Sequence, residues 1–415
     1  MAIDKNKTKE LVKQIEKLFE EIVPKKHKEK VEKILMGSVL EEIKLITESR
    51  PPTLYLIGRS GHGKSSLINA LTNKDVAEVG DVKPTTVEST DYVITFPEQY
   101  ATWRIVDSRG LFETTPPKSE TPCDAVEKLK QDIKKFNPDV ILHVISAPEI
   151  RNLSQDLKVF EEVMQNVKKD LGVELPIITV LNKADTLGNP REWPPEQHAK
   201  KAGLILEALE YIGREVFETS YEFVDKNCPY RGFLLKNSKY FAVIPICSLR
   251  EDIWNIEVLS EIIAEKLPKS ALLDFVQAQR RKHLLKRLST SIIKRFSVLA
   301  AAICVEPIPV ADIFILTPLQ ILMIAIIGGL SCEPVSRETV GKYSAAAGID
   351  IGMGFSLRKI ARELVKLIPV LGPAISGAIA AAGTYAIGKS AEAYFFDNKI
   401  RKPEEFINEW EKIKN

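Results

Sequence analysis

"TLYLIGRSGHGKSSLINALT", residues 53–72, decides how this chain folds. An apolar run, 54–57, stops at a glycine-rich turn, and Leu67, Ile68 and Leu71 then recur at helical spacing. The segment reads strand, loop, helix. Inside it, residues 58–65 satisfy G-x-x-x-x-G-K-[ST], a pattern whose glycines let backbone N–H groups close around phosphate oxygens with no side chain in the way. Lys64 is then placed to neutralise β- and γ-phosphate charge, and the Ser65 hydroxyl to coordinate Mg²⁺. The whole loop, Gly58, Ser60, Gly61, His62, Gly63, Lys64, Ser65 and Ser66, is expected to line a nucleotide. His62 counts as a loop residue, not a catalyst.

Working outward, short apolar runs at 54–57, 92–96, 103–106, 140–145, 177–181 and 241–246 alternate with helical stretches. That alternation predicts an α/β fold, a mostly parallel sheet between helices. Residues 5–49 carry two amphipathic helical stripes, and beyond about residue 270 every pattern is helical. The expected division is therefore a helical segment over 1–50, an α/β domain over 51–268 and a helical domain over 269–415, the two helical parts building one all-helical domain.

Two further motifs refine the chemistry. "NKAD", 182–185, follows the apolar run "PIITVL". A carboxylate at Asp185 can accept from both N1–H and the exocyclic amino group of guanine, a pair that adenine lacks, so the motif selects GTP over ATP. Asn182 braces the loop and Lys183 lays its stem along the base. "IVDSRGLF", 105–112, places Asp107 at the end of an apolar pair and Gly110 three residues on.

Together these motifs resemble the translation-factor-related P-loop GTPases, and among them the Era-like group. "KPTT" is similar to that group's first switch segment, and "PICSL" to the segment that closes over guanine. The resemblance implies that Thr86, with Thr85 as the alternative, coordinates Mg²⁺ and senses the γ-phosphate. Asp107 would hold a Mg²⁺-bound water, and the Gly110 amide would read the γ-phosphate. Cys247, Ser248 and Leu249 would close over the base, Cys247 and Ser248 through their N–H groups. Outside 58–249 the likeness is looser: helices before and after the α/β domain resemble immunity-related, dynamin-like GTPases, and the C-terminal region resembles the YcjF-type helical domain.

Leu111 stands where such proteins usually carry a water-positioning glutamine, and Gly61 stands where some relatives hold potassium with an asparagine. A group must then come from switch one or from across an interface. Arg59 and Arg109 are the candidates, each with loop bracing as its ordinary alternative. The expected activity is slow GTP hydrolysis in a nucleotide-dependent switch activated by a homodimer or partner. A membrane-remodelling protein of dynamin type is the alternative, and a ribosome-associated GTPase a third.

Composition narrows the partners. A net charge of +2 on 415 residues, 45% hydrophobic and 27% charged, describes an ordinary globular chain. Five cysteines without CxxC spacing suggest no zinc site or disulfide framework, and the polar start suggests no signal peptide, so a cytoplasmic setting is expected. Basic residues crowd 280–295 beside Leu284, Leu285, Leu288, Ile292 and Phe296, which suggests peripheral contact with a membrane. Uncharged runs at 313–332 and 367–388 fit either buried helices or spans. The absence of stacking aromatics in the basic helix, and of a second GxxG, leads to an expectation of no nucleic-acid partner.

Overall fold

The computed structural model describes residues 48–75, 90–96, 101–108, 122–152, 174–236, 240–279, 282–303, 311–331, 335–347 and 377–407, with a few isolated positions between and beyond them. The motifs at 84–86 and 109–112 lie outside the described residues, as do the helical stripes of 5–46.

Among the described residues eight strands form one sheet, in the order β2-β3-β1-β4-β5-β8-β7-β6. They are β1 (Thr53–Ile57), β2 (Thr90–Phe96), β3 (Ala101–Asp107), β4 (Val140–Ser146), β5 (Ile177–Asn182), β6 (Tyr221–Phe223), β7 (Phe233–Leu235) and β8 (Tyr240–Pro245). β1 pairs in parallel with both β3 and β4, and β4–β5 and β5–β8 continue the parallel run. β1, β4 and β5 are buried at every position. Strands covered on both faces are apolar along most of their length, which is why these runs lack an alternating pattern. β2, lying at the sheet's edge, does alternate.

The unexpected strands are β6 and β7. They form an antiparallel extension on β8, inside the long stretch that follows "NKAD". At three residues each they are too short to show a period of two, and "NPREWPPEQ" and "DKNCPYRG" mask them with turn residues.

Helices of this unit are α1 (Lys64–Thr72), α2 (Pro122–Phe136), α3 (Ala199–Tyr211), α4 (Ile256–Lys266) and, as far as Phe275, α5 (Lys269–Ala278). The compact unit takes in Pro51–Thr95 and Thr102–Phe275. Its last turn belongs there because Phe275 stacks on Trp103 at 4.7 Å, and Trp103 Nε1 donates to Asp274 O at 3.1 Å.

A second unit gathers the chain from Val276 onward. Its described helices are α6 (Lys282–Ile303), α7 (Ala311–Leu330), α8 (Arg337–Ala346) and α9 (Gly377–Asp397). α9 runs tightly against α6 and α7: a Cβ on Gly388 would lie 2.8 Å from Ile293 and 3.1 Å from Met323. Most of the first uncharged run falls in α7, which is buried from Leu316 to Leu330 around the interior proline Pro318. Its Gln320 donates to Thr384 Oγ1 at 3.2 Å. Among the described residues no helix is long and apolar enough to cross a membrane.

Candidate nucleotide site

The parallel strands β3, β1, β4, β5 and β8 bring their C-terminal ends to one edge of the sheet, and β1 is where the order reverses, with β3 on one side and β4 on the other. Ligands of open α/β sheets bind in the crevice at such a point. The glycine-rich loop leaves β1 here.

Two glycines make the loop possible. A Cβ at Gly58 would lie 2.2 Å from Val144 O, so only glycine lets the loop pass the end of β4. Gly63 is left-handed at φ 85°, and a Cβ there would meet Asn182 Nδ2 at 2.3 Å. α1 starts directly after Gly63 with no side-chain cap, so its first-turn N–H groups are not satisfied by the usual device. Uncapped amides at a helix N-terminus, behind a turn lined by glycine, suit an anion.

Side chains fix the loop from within. Lys64 Nζ arches back to donate to Gly58 O at 3.0 Å and Arg59 O at 3.4 Å. His62 is buried, its Nδ1 donating to Val144 O at 3.0 Å and its Nε2 lying 3.3 Å from Glu149 Oε2. That makes His62 an anchor between the loop and the end of β4. Arg59 is half-buried, Ser60 and Gly61 are exposed, and Ser65 and Ser66 are half-buried in the first turn of α1.

Asn182 joins the phosphate loop to the far side of the site. Its Nδ2 donates to His62 O at 3.0 Å and Gly63 O at 3.3 Å, and its Oδ1 accepts from Ser248 Oγ at 2.9 Å. Lys183 follows in the left-handed region, φ 62°, with its stem beside Gly63. Asp185 is buried, and its Oδ1 has no hydrogen-bond partner among the described residues. Cys247 lies beside that carboxylate. Burial first, and Asp185 with it, push the Cys247 thiol up. The Cys247 amide donates to Trp254 O at 3.2 Å, so the N–H expected to face a base is engaged in the loop's own bridge. Ser248 is buried and Leu249 exposed, at the lip of a cleft of about 320 Å³ lined also by Ser66, Asn69, Lys74 and Arg250.

Asp107 ends β3 opposite Leu56 and is almost wholly buried. Its Oδ1 has no hydrogen-bond partner among the described residues. Burial raises the carboxyl to about 6, with Lys64 pulling the other way. An orphaned buried carboxylate oxygen that feels the charge of Lys64, the residue before Ser65, fits a hydrated Mg²⁺. No cluster of three His, Cys, Asp or Glu occurs among the described residues, and Mg²⁺ held through nucleotide phosphates needs none. Of the expected site residues, Thr86, Gly110 and Arg109 lie outside the described residues.

Several supporting residues escape motif reading. Glu196 accepts from Trp254 Nε1 at 3.0 Å and from Arg231 Nη2 at 2.8 Å. Burial pushes the Glu196 carboxyl up, yet these donors hold it below its ordinary value. Trp193 meets Trp254 edge-on at 5.4 Å, and Asn255 Nδ2 donates to Arg231 O and Pro245 O, both at 2.8 Å. The long stretch after "NKAD" thus buttresses the loop that carries Cys247 and Ser248. Only its aromatic content hinted at a packed role.

The first unit has the α/β fold and glycine-loop arrangement of a P-loop nucleotide-binding domain. Residues 53–183 match the family model described as 50S ribosome-binding GTPase. The chain is 33% identical over 171 residues to the tRNA modification GTPase MnmE of Aquifex aeolicus, covering 40% of this chain and 34% of the relative. It is 32% identical over 188 residues to the GTPase HflX of Caldanaerobacter subterraneus, covering 43% and 40%. Against the GTPase Era of Fusobacterium nucleatum, identity is 25% over 244 residues, 55% of this chain and 73% of the relative. The chain thus spans about a third of the length of the first of these relatives. Among solved structures, Era in complex with MgGDPNP and nucleotides 1506–1542 of 16S ribosomal RNA covers 61% of this chain and 68% of its own, at 21% identity and TM-score 0.35.

These findings correct one expectation. Absence of a KH-like GxxG and of stacking aromatics does not exclude nucleic acid, because the family model that matches residues 53–183 is described as ribosome-binding. A GTPase can meet RNA through surfaces that carry neither signal, such as shape and phosphate contacts.

Proposed function

We propose that the chain binds GTP with Mg²⁺ and hydrolyses it to GDP and phosphate as a nucleotide-dependent switch. One observation supports this: two buried carboxylate oxygens, on Asp107 and Asp185, have no hydrogen-bond partner among the described residues, in the unit whose glycine loop leads into a helix start without a side-chain cap. Lys64, with the amides of the loop, would hold the phosphates; Ser65 and Asp107 would hold the metal and its water, with Thr86 joining them. Asp185 would read the base, with Asn182 and Lys183 framing it. Calorimetry of the full chain with GTP, GDP and ATP tests the reading. Micromolar guanine-nucleotide binding that Lys64→Ala removes is expected, and equal affinity for ATP would overturn it.

Because Leu111 offers no group to aim a water, turnover by a single molecule is expected to be slow. A group supplied by Arg59, Arg109 or a second molecule then sets the rate, a trans arginine being worth roughly 10³–10⁵. Phosphate release per molecule should rise with protein concentration. A fast, concentration-independent rate insensitive to both arginines would place the missing group in the segment around Thr86.

The ribosome-associated form of the switch is a second reading. It rests on the family description and on the exposed Arg287, Lys294 and Arg295, which share one face of α6. Cosedimentation with ribosomes in GTP but not GDP is the expected result, and its absence in both states would remove this reading.

A further inference from the structure

One buried cation belongs to none of the motifs. Lys201 lies on α3, in the stretch between β5 and β8, and no part of it reaches solvent. Its ammonium donates to Asp185 O at 2.6 Å and to Leu187 O. Burying an ammonium costs several kcal/mol unless its protons and charge are answered. Burial indeed lowers the Lys201 pKa, against attraction from Asp185 and Glu192. Glu192 Oε2 is itself buried without a hydrogen-bond partner among the described residues, and its charge, like that of Asp185, favours the ammonium.

The turn above it is clamped to the same helix. Gly188 is left-handed at φ 68°, and a Cβ there would meet Leu204 Cδ1 at 2.6 Å. Residues 185–188 therefore rest on α3 through Lys201 at one end and Leu204 at the other. Asp185 Oδ1 stays unpartnered among the described residues while its own carbonyl is held from beneath.

We infer that Lys201 is a positioning residue for base recognition, fixing the main chain of Asp185 and Leu187 so that the Asp185 carboxylate meets N1–H and the 2-amino group together. The inference rests on the guanine-binding reading above. Hypoxanthine keeps N1–H but lacks the 2-amino group, so the ratio of GDP to IDP affinity reports the second hydrogen bond alone. A bond to a charged acceptor is worth about 1.5–3 kcal/mol, a ratio of about 10 or more.

The test measures GDP and IDP affinities of the full chain and of Lys201→Met, Lys201→Gln and Lys201→Arg. The methionine variant is expected to bring the ratio down to about 1–3 by weakening GDP while IDP changes little, and arginine, which keeps the cation, to restore most of it. If methionine prevents folding, glutamine retains an N–H donor and is judged by the same ratio. Loss of GDP and IDP affinity in equal proportion, with the ratio kept, would show that Lys201 only holds the fold and overturn the inference. A wild-type chain that prefers neither GDP to IDP nor GDP to ADP would instead remove the guanine reading, and Lys201's role with it.

Discussion

Asp107 bears a cost in the nucleotide-free protein that the proposed Mg²⁺-binding role would explain. The unfolded carboxyl ionises near 3.8, whereas burial raises the folded value to about 6. Between those values only the folded state takes up a proton, so the charge opposes folding above about pH 6 and that opposition fades as pH falls toward 3.8. Asp107→Asn is therefore expected to stabilise nucleotide-free, metal-free protein at pH 7.5 by up to about 3 kcal/mol, with little gain near pH 4. The same variant should lose the Mg²⁺-dependent part of triphosphate affinity. Thermal melts at both pH values check the first claim, and a variant less stable at pH 7.5 would mean that the carboxylate is paired. At Asp185 the complementary change is chemical: Asp185→Asn should lose GTP and gain xanthosine triphosphate, whose C2 carbonyl needs a donor. Nucleotide competition reads this directly, and an unchanged GTP preference would count against the carboxylate as the base reader.

At the scale of elements, the site is held by staples between loops. Asn182 touches His62, Gly63 and Ser248, three positions on two loops that converge only because β1, β4, β5 and β8 run parallel. Asn182→Ala leaves two carbonyls and a hydroxyl without this partner inside the protein. It is expected to cost about 1–3 kcal/mol, seen in urea unfolding, and to weaken GDP and IDP alike. Much of this was legible in the sequence. The continuous apolar runs gave β1, β4 and β5, and the spacing of 58–65 and 182–185 placed the loops at their ends. What was not legible was whatever depends on contacts distant in the chain. Lys201 reads as a surface lysine until α3 turns it under Asp185, and Glu149 carries no signal until it stands beside His62. β6 and β7 escaped because three-residue strands have no measurable period. The missing stacking aromatics of the basic helix and the missing second GxxG weigh less against a nucleic-acid partner than the sequence suggests, since the matching family model is described as ribosome-binding.

For the whole molecule, the division into two compact units has a thermodynamic consequence. Each has its own core: buried Leu54, Ile105, Val144, Val180 and Ile244 in the first, and Ile292, Phe296, Ile321, Ile324 and Ile387 in the second. A ligand that binds only the folded form of one unit stabilises that unit by RT ln(1 + [L]/Kd), about 2.7 kcal/mol at a hundredfold excess over Kd. Since the described nucleotide-site residues lie within the first unit, saturating GDP should raise the melting transition of that unit and leave the helical one in place. Scanning calorimetry with and without GDP is expected to show two transitions of which one moves. Lys64→Ala provides the control, because its first transition should no longer respond while both remain at their nucleotide-free temperatures. A single transition that shifts as a whole with GDP would mean that the two cores unfold as one cooperative block, and that nucleotide occupancy is felt energetically as far as α9.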